Sequence, residues 1–491
     1  MKLRELVERF FLYQTTKNID SIFIKGIAID SRKVGNGDLF FCITGFTVDG
    51  HDFAKQAEAN GACAIVAEKP VDVTIPVIIV NNSSRALSIA ANTFFHNPTN
   101  KLQLIGVTGT NGKTSVTYLL EEIFQQSKKK TGLIGTIQMK IGDTSYNVKN
   151  TTPEALYLQK SFRQMVEENV ETVMMEVSSH ALDLGRVYGC DFDIAIFTNL
   201  SQDHLDYHEN MGDYLHAKSL LFSQLGNRYD LTSPKFAIVN KDDSNAEFII
   251  KSTAQHVITY GIDSEADITA TNIELNANGS SFTICTSDGN MDITSRLMGK
   301  FSVYNMLAAT AAAICSGVSL RDIKSALELT TGVKGRFEPV ATGQPYGVIV
   351  DYAHTPDSLE NVLTTIRSFS NGNVYVVVGC GGDRDRSKRP LMAQVAVNYA
   401  DLALFTSDNP RSEDPDQIIN DMINGMDKTN YEVIVDRKEA INRSIRLAKE
   451  NDIVLIAGKG HETYQIIGNE VHDFNDKKVA EDAIIQKIGK G

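Results

Sequence analysis

The sequence predicts an α/β protein of three domains, on three observations. The chain has 491 residues, more than one hydrophobic core usually supports. Turn-forming segments at 96–100 and 330–335 divide it into three parts. Short apolar runs alternate with helix-compatible stretches in the second and third parts, which is typical of parallel sheets covered by helices. We therefore predict domains at residues 1–98, 99–333 and 334–491.

The composition is that of an ordinary globular protein, with 42% hydrophobic and 22% charged residues. The net charge of −13 argues against nucleic acid or an anionic membrane surface as the main partner. Six scattered cysteines contain no CxxC pair, so neither a zinc site nor a disulfide framework is indicated. The charged start resembles no signal peptide, and no apolar run approaches a membrane-spanning length. We expect a cytoplasmic, monomeric enzyme that acts on small molecules.

The first part predicts a small mixed α/β domain. The second part opens on an apolar strand, 104–108, that runs into a glycine-rich loop and a helix, the context of a nucleotide-phosphate site. Glycines let backbone N–H groups face a polyphosphate, and the helix N-terminus adds partial positive charge. The residues of this predicted ATP and Mg²⁺ site are Gly109, Thr110, Asn111, Gly112, Lys113, Thr114 and Ser115. The spacing is shorter than G-x-x-x-x-G-K-[ST], because valine stands at position 107.

The helix after the loop has an apolar stripe of the kind that covers a sheet, formed by Val116, Leu119, Leu120, Ile123 and Phe124. Further strands of this domain are predicted at 172–177, 194–197, 236–239 and 257–260. The third part repeats the rhythm at 348–350, 374–378, 402–405 and 453–456. The sequence thus predicts a central doubly wound parallel sheet like that of P-loop ATPases and a C-terminal Rossmann-like α/β domain.

Polar residues follow most of these runs directly. Because ligands bind beyond the carboxyl ends of the strands in open α/β sheets, the two domains are expected to present chemistry to a shared cleft. The strand ends also carry most of a series of ten motifs. They are TGTNGKTS at 108–115, NTTPE at 150–154, MEVSSHALDLGR at 175–186, FTNLSQDHLDYH at 197–208, HAKSLLF at 216–222, GRFE at 335–338, DYAHTPDS at 351–358, GCGGDRDRSKRP at 379–390, DNPRSEDP at 408–415 and AGKGHETYQ at 457–465.

With these motifs in this order, the chain resembles the Mur ligases of peptidoglycan synthesis, from residue 30 nearly to its C-terminus. The short phosphate loop is that family's version. Within the family the chain is most similar to the members that add the third amino acid of the peptide. The resemblance implies that ATP phosphorylates the free carboxylate of a D-glutamyl residue, and that an amine displaces phosphate from the acyl phosphate to form an amide. Cations must neutralise the approach of carboxylate to γ-phosphate.

The resemblance also implies roles for residues. Lys113 and Thr114 are expected to hold phosphate and Mg²⁺, and Glu176 and His204 to serve a metal. Lys218 matches a family lysine that is carried as a carbamate, a further metal ligand. Contacts to the nucleotide from the second and third domains are implied for Asn305, Arg336 and Asp351.

The substrate side follows from the same resemblance. Ser31 and the turn 46–48 match positions that hold the UDP end of UDP-N-acetylmuramoyl-L-alanyl-D-glutamate. Contacts to the muramoyl-peptide are implied for Asn150, Thr151, Thr152, Ser178 and Arg186. The amino-acid pocket is implied to consist of Arg384, Asp408, Asn409, Pro410, Arg411, Gly458 and Glu462.

Arg411 is the most discriminating of these residues. A guanidinium pairs bidentately with a carboxylate, and meso-diaminopimelate carries a second carboxylate that L-lysine lacks. Glu462 suits the distal ammonium. The alternative for Arg411 is a surface ion pair with Glu413 or Asp414. For the whole chain, the alternatives are the same ligase using L-lysine, a folylpolyglutamate-synthetase-like ligase, and a nucleotide-dependent switch.

Overall fold

The computed structural model describes residues 1–45, 48–205, 207–276, 279–340 and 342–489. Within these ranges the strands form three large sheets, each built from a successive stretch of the chain, and one two-stranded sheet. None of the described helices is both long enough and apolar enough to span a membrane. The α/β class that the apolar runs predict is confirmed.

The first sheet has the order β1-β5-β4-β3-β2, in which β2 to β5 are parallel and β1 is antiparallel to β5. The mixed character expected of the first domain is therefore present. Its strands are β1 (Gln14–Thr15), β2 (Gly26–Ala28), β3 (Asp38–Phe41), β4 (Ala64–Ala67) and β5 (Val77–Ile79), and its helices are α1 (Leu3–Val7), α2 (Ala54–Ala59) and α3 (Ser83–Phe94).

The central sheet has eleven strands in the order β16-β15-β14-β13-β12-β11-β6-β10-β7-β8-β9. The four apolar runs predicted as strands form β10 to β13. The strands are β6 (Gln103–Thr108), β7 (Thr131–Ile134), β8 (Met139–Ile141), β9 (Thr144–Tyr146), β10 (Thr172–Glu176), β11 (Ile194–Phe197), β12 (Phe236–Asn240), β13 (His256–Gly261), β14 (Ile268–Asn276), β15 (Gly279–Thr286) and β16 (Gly289–Ser295).

The seven strands in the middle of this sheet, from β14 through β13, β12, β11, β6 and β10 to β7 in spatial order, are parallel. Antiparallel strands extend both edges, β15 and β16 beyond β14, and β8 and β9 beyond β7. The antiparallel strand β16 differs from the central parallel strands β10 and β11, whose residues are all buried. Buried and exposed residues alternate along β16, as expected of a strand with one face in water. The helices of this region are α4 (Lys113–Gln126), α5 (Ala155–Glu167), α6 (Ser179–Asp183), α7 (Met211–Ser223), α8 (Ala246–Lys251), α9 (Lys300–Cys315) and α10 (Leu320–Leu329).

Helix α4 follows the phosphate loop and packs into the core between the sheet and α9. The five residues of its predicted stripe are all buried. Burial of this stripe holds the first turn of α4 against the end of β6. The phosphate loop therefore rests on a rigid support.

The C-terminal sheet has the order β17-β18-β22-β19-β20-β21, parallel except for β17. The four predicted runs form β18, β19, β20 and β22. The strands are β17 (Glu338–Pro339), β18 (Gly347–Asp351), β19 (Val374–Val378), β20 (Leu402–Phe405), β21 (Tyr431–Val433) and β22 (Ile453–Ala457), followed by the hairpin β23 (Tyr464–Ile467) and β24 (Glu470–Asp473). The helices are α11 (Pro356–Phe369), α12 (Lys388–Tyr399), α13 (Pro415–Ile423), α14 (Arg437–Leu447) and α15 (Asp476–Ile488).

Candidate active site

A cleft of about 1340 Å³ lies between the central and C-terminal sheets, at the carboxyl ends of their strands. The predicted phosphate site, except Gly109, and the predicted contacts to the muramoyl-peptide line it. The predicted residues on its wall are Thr110, Asn111, Gly112, Lys113, Thr114, Ser115, Asn150, Thr151, Thr152, Glu176, Ser178, Arg186, His204, Lys218, Asn305, Arg336 and Asp351. The structure thus brings together in one cavity segments that are far apart in sequence.

The phosphate loop needs glycine at two positions. Gly109 has φ +148°, and a Cβ there would lie 1.8 Å from the Thr198 hydroxyl oxygen. Gly112 has φ +87°, and a Cβ there would lie 2.5 Å from the Asn305 side-chain oxygen. Both conformations favour glycine, and both side-chain contacts leave no room for another residue. The loop delivers the N-terminus of α4 to the cleft, where partial positive charge favours an anion.

Two lysines share one backbone carbonyl at this loop. Lys113 Nζ and Lys218 Nζ each donate to the Gly109 carbonyl oxygen at 2.9 Å. Burial lowers the pKa of Lys113, and burial together with the nearby Lys113 charge lowers the pKa of Lys218 well below its ordinary value. Lys218 Nζ also lies 4.2 Å from the centre of the Tyr214 ring. Two buried ammonium groups so close together would repel each other. The arrangement therefore suits a site that binds an anion, or one in which one of the two amines is neutral.

Glu176 ends β10 beside the phosphate loop, with 1% of its surface exposed. Its Oε2 accepts from the Thr114 hydroxyl at 3.0 Å, and its Oε1 accepts from the Thr136 backbone N–H at 2.9 Å. The Thr136 hydroxyl adds a third hydrogen bond, at 3.0 Å. Carboxylate and hydroxyl oxygens are the ligands that Mg²⁺ prefers, so Glu176 and Thr114 fit a magnesium ion at this end of the cleft.

His204 lies on the same cleft with its backbone in the left-handed region, at φ +55°. Its ring centre is 4.9 Å from that of His180, and its Nε2 is 3.5 Å from Asp203 Oδ2. In the described ranges, no three His, Cys, Asp or Glu side chains form a metal-binding group. The structure places His204 and Glu176 on the wall of one cleft.

Hydrogen bonds link three predicted muramoyl-peptide residues, Thr152, Ser178 and Arg186, to one another and to the Glu176 backbone. The buried Thr152 donates its hydroxyl to the Glu176 carbonyl at 2.8 Å and accepts from the Ser178 N–H at 3.1 Å. Arg186 donates to the Thr152 carbonyl at 3.2 Å and pairs with Glu154 at 2.7 Å. Arg186 is thus held at the cleft wall by a carboxylate and a backbone carbonyl.

The opposite wall comes from the linker and the C-terminal domain. The Arg336 guanidinium lies 4.8 Å from the centre of the Tyr352 ring. Asp351, at the end of β18, accepts from the N–H groups of Phe337 and Ala353 at 2.6 and 2.7 Å. Burial raises the pKa of Asp351, while the Arg336 charge opposes this shift. Asp351 therefore orders the linker segment that carries Arg336 into the cleft.

Ser31 lies outside this cleft, in the first domain, where its hydroxyl donates to Gln56 Oε1 at 2.7 Å. In the predicted UDP turn 46–48, Phe46 and Thr47 lie outside the described residues. Val48 is exposed. Gly109 also stays off the cleft wall, where its role is to let the chain turn.

The predicted amino-acid pocket is a separate group of residues at the carboxyl ends of β19, β20 and β22. Asp408, Asn409 and Pro410 are buried, whereas Arg384 is exposed and donates to the Asp383 carbonyl at 3.0 Å. Gly458 has φ +111°, and a Cβ there would lie 2.8 Å from Asp408 Oδ2. Asn409 Nδ2 donates to Glu462 Oε2 at 2.9 Å. The loops after β20 and β22 therefore form one hydrogen-bonded unit.

Arg411 makes no ion pair with a carboxylate in the described part of the chain. Its Nη1 donates to the carbonyls of Gly382 and Asn409 at 2.8 and 3.4 Å. Glu413 is occupied by Arg386 and Arg389 instead, so the surface-pair alternative is wrong for Glu413, and no ion pair with Asp414 is found among the described side chains. The half-buried guanidinium keeps donors for a ligand.

Two residues that contact the predicted site were not themselves predicted, Thr136 and Lys459. Thr136 follows β7, so the rule that ligands bind beyond strand ends could have found it. Lys459 is fully buried beside Glu462, and the sequence signal is a lysine placed between two glycines directly after a buried strand. Both residues hold a predicted carboxylate in place.

Three family models match the chain. A model described as "Mur ligase family, catalytic domain" matches residues 23–96, "Mur ligase middle domain" matches 107–313, and "Mur ligase, glutamate ligase domain" matches 335–460. Together they cover most of the chain. No single motif carries the match.

Curated relatives agree over nearly full length. UDP-N-acetylmuramoyl-L-alanyl-D-glutamate–2,6-diaminopimelate ligase of Oceanobacillus iheyensis is 59% identical over 99% of this chain and 100% of its own. The enzyme of that name from Bacillus cereus is 58% identical, over 95% of each chain.

Among solved structures, an enzyme of that name has a TM-score of 0.72 at 34% identity, over 96% of this chain and 97% of its own. Folylpolyglutamate synthase of Mycobacterium tuberculosis shares the fold alone, with a TM-score of 0.62 at 15% identity over 83% of this chain and 96% of its own. The chain belongs to the Mur ligase family.

Proposed function

We propose that the chain is an ATP-dependent ligase that joins meso-diaminopimelate to the D-glutamyl carboxylate of UDP-N-acetylmuramoyl-L-alanyl-D-glutamate. The observation that carries the choice of amino acid is Arg411, whose guanidinium has donors to spare and whose loop is hydrogen-bonded to Glu462 through Asn409. An amino acid with a carboxylate and an ammonium at its far end matches this pair of charges. The names of the relatives at 58 and 59% identity support the same substrates.

The reaction has two steps. The D-glutamyl carboxylate attacks the γ-phosphorus of ATP, ADP leaves, and an acyl phosphate forms. The amino group of diaminopimelate then attacks the acyl carbon, loses a proton and expels phosphate, which leaves an amide. In the first step Lys113 and the N-terminus of α4 lower the repulsion between the two anions.

A magnesium ion at this site would be held by Thr114 and Glu176, and it would neutralise charge on the phosphate oxygens. We further propose that Lys218 is carried as a carbamate. Its depressed pKa supports this, because only the neutral amine adds to carbon dioxide. Conversion of the ammonium to a carbamate would also remove the repulsion between Lys113 and Lys218.

Arg336, Asn305 and Asp351 are proposed to contact the nucleotide from the second and third domains, which would shield the acyl phosphate from water. A monomer is proposed as the active form. ATP and a UDP-linked precursor are both intracellular compounds, so the proposed reaction belongs to the cytoplasm.

Phosphate release tests the proposal. The purified protein is assayed with ATP, Mg²⁺ and UDP-N-acetylmuramoyl-L-alanyl-D-glutamate, with meso-diaminopimelate, with L-lysine and without an amino acid. We expect turnover only with diaminopimelate. Equal turnover with L-lysine would overturn the choice of amino acid but keep the ligase. Absence of turnover with both would overturn the ligase and favour a nucleotide switch, and turnover only with a folate would favour the folylpolyglutamate reaction.

A further inference from the structure

Lys459 is a fully buried cation that the proposed reaction does not use. It lies between Gly458 and Gly460 in the loop after β22, and its side chain has no exposed surface. A buried ammonium is costly unless charged and polar partners surround it. An apolar side chain at this buried position would cost less free energy than an ammonium. We therefore looked for a function of Lys459 in its contacts.

Its partners are two residues of the amino-acid pocket. Lys459 Nζ donates to Asn409 Oδ1 and to Glu462 Oε2, both at 3.0 Å. Asn409 Nδ2 donates to the same Glu462 oxygen at 2.9 Å, which closes a triangle of three hydrogen bonds. Asn409 Oδ1 also accepts from the Ile466 N–H at 3.0 Å, so the orientation of the amide is set from two sides.

The two carboxylate oxygens of Glu462 differ in their hydrogen bonding within this triangle. Oε2 receives both hydrogen bonds, whereas Oε1 has no hydrogen-bond partner among the described residues. The Glu462 side chain is 16% exposed, so a ligand can reach it. We propose that Lys459 is a positioning residue, which anchors Oε2 so that Oε1 is presented to the distal ammonium of the amino acid.

The charges of the pocket explain why a cation is suited to this position. Asp408 and Glu462 are two carboxylates on adjacent loops, and Asp408 Oδ2 lies within 2.8 Å of the position that a Cβ of Gly458 would occupy. Arg437, a second buried cation, also lies near both carboxylates, whereas Lys459 hydrogen-bonds Glu462 directly. Lys459 keeps Glu462 in the pocket while leaving one oxygen for the ligand. This inference rests on the proposed function.

The test compares two amino acids in wild type and in Lys459→Met, which keeps the chain length and removes the ammonium. meso-Diaminopimelate carries the distal amino group, and L-2-aminopimelate has the same distal carboxylate without it. We expect kcat/KM for diaminopimelate to fall about 10-fold or more in the variant, kcat/KM for L-2-aminopimelate to change less than about 3-fold, and KM for ATP to stay unchanged. Lys438→Met, at an exposed position of α14, is the matched control and should alter none of these values.

Equal loss with both amino acids, or loss with neither, would overturn the positioning role. Should Lys459→Met fail to fold, as judged by its thermal unfolding, Lys459→Gln takes its place. Its amide is uncharged and one bond shorter than the lysine, so the hydrogen bond that anchors Oε2 is weakened and the same selective loss is expected. Failure of wild type to turn over diaminopimelate would overturn the proposed function instead, so the two failures are distinguishable.

Discussion

The buried Arg389 guanidinium holds the Glu413 carboxylate with two hydrogen bonds, Nη2 to Oε1 at 2.8 Å and Nη1 to Oε2 at 3.0 Å. Glu413 also accepts from the Asp383 N–H at 2.6 Å. The pair therefore joins the loops after β19 and β20, which carry Arg384 and Arg411. It also engages Glu413, the carboxylate two residues after Arg411, and Arg411 has no ion pair among the described side chains.

Removal of Arg411 should change the choice of amino acid. In Arg411→Ala we expect kcat/KM for meso-diaminopimelate to fall by ~100-fold or more, because the distal carboxylate loses a charged, partly desolvated donor. Phosphate release with L-lysine should be nearly unchanged. The matched control is Arg443→Ala, which removes an arginine of α14 that pairs with Glu432 of β21. A kcat/KM for meso-diaminopimelate that stays within about 3-fold of wild type would count against the proposed contact.

Glu176 should matter for the chemical step and for the metal. Glu176→Gln keeps an oxygen for the Thr136 N–H but removes the negative charge, so we expect kcat to fall about 100-fold and the magnesium requirement to rise. Phosphate release measured across a Mg²⁺ titration checks both. Glu171→Gln changes the residue just before the same strand and should behave as wild type. A full rate at ordinary Mg²⁺ in Glu176→Gln would contradict the metal site.

Lys218 should make the activity depend on carbon dioxide. We expect the protein prepared in CO₂-free buffer to lose activity and to regain it with added bicarbonate, because the neutral, buried amine forms a carbamate reversibly. Lys218→Ala should be inactive at every bicarbonate concentration, whereas Lys160→Ala, at an exposed position of α5, should follow wild type. Activity that is independent of carbon dioxide would exclude the carbamate.

Glu413 should give the C-terminal domain an acid-sensitive contribution to stability. Hydrogen bonding to Arg389 lowers the pKa of Glu413 from 4.5 to about 2. Since the folded-state pKa lies below the unfolded value, the contribution is complete above pH 4.5 and is lost as the pH falls toward 2. We expect Glu413→Gln to reduce the free energy of unfolding by about 1–3 kcal/mol at pH 7.

The measurement is urea unfolding of wild type and Glu413→Gln at pH 7, 4 and 3. The difference between the two proteins should shrink as the pH falls. Glu439→Gln removes an exposed carboxylate that pairs with Arg446, and it should change stability little at any pH. A difference that stays constant from pH 7 to 3 would show that the ionised Glu413 contributes nothing.

Much of the fold follows from local patterns. The stripe along α4 and the apolar runs of β10 to β13 are visible in sequence because burial on a sheet demands apolar residues at a regular spacing. The phosphate loop is visible because its backbone admits only glycine at two positions. The antiparallel edges of the central sheet were not predicted, since short alternating strands such as β8 and β9 carry a weak signal.

The family, the order of the elements and the charged side chains at the strand ends can all be read from the amino-acid sequence. How these charges are paired depends on the folded arrangement of the loops. Arg389 takes Glu413, Lys459 takes one oxygen of Glu462, and Arg411 keeps its donors because of that distribution. Arg389 and Glu413 are 24 residues apart, and Glu462 also accepts from Asn409, 53 residues away, so these pairings depend on how separate loops meet. Electrostatic and hydrogen-bond energies change steeply over a few ångströms, so no local pattern records them.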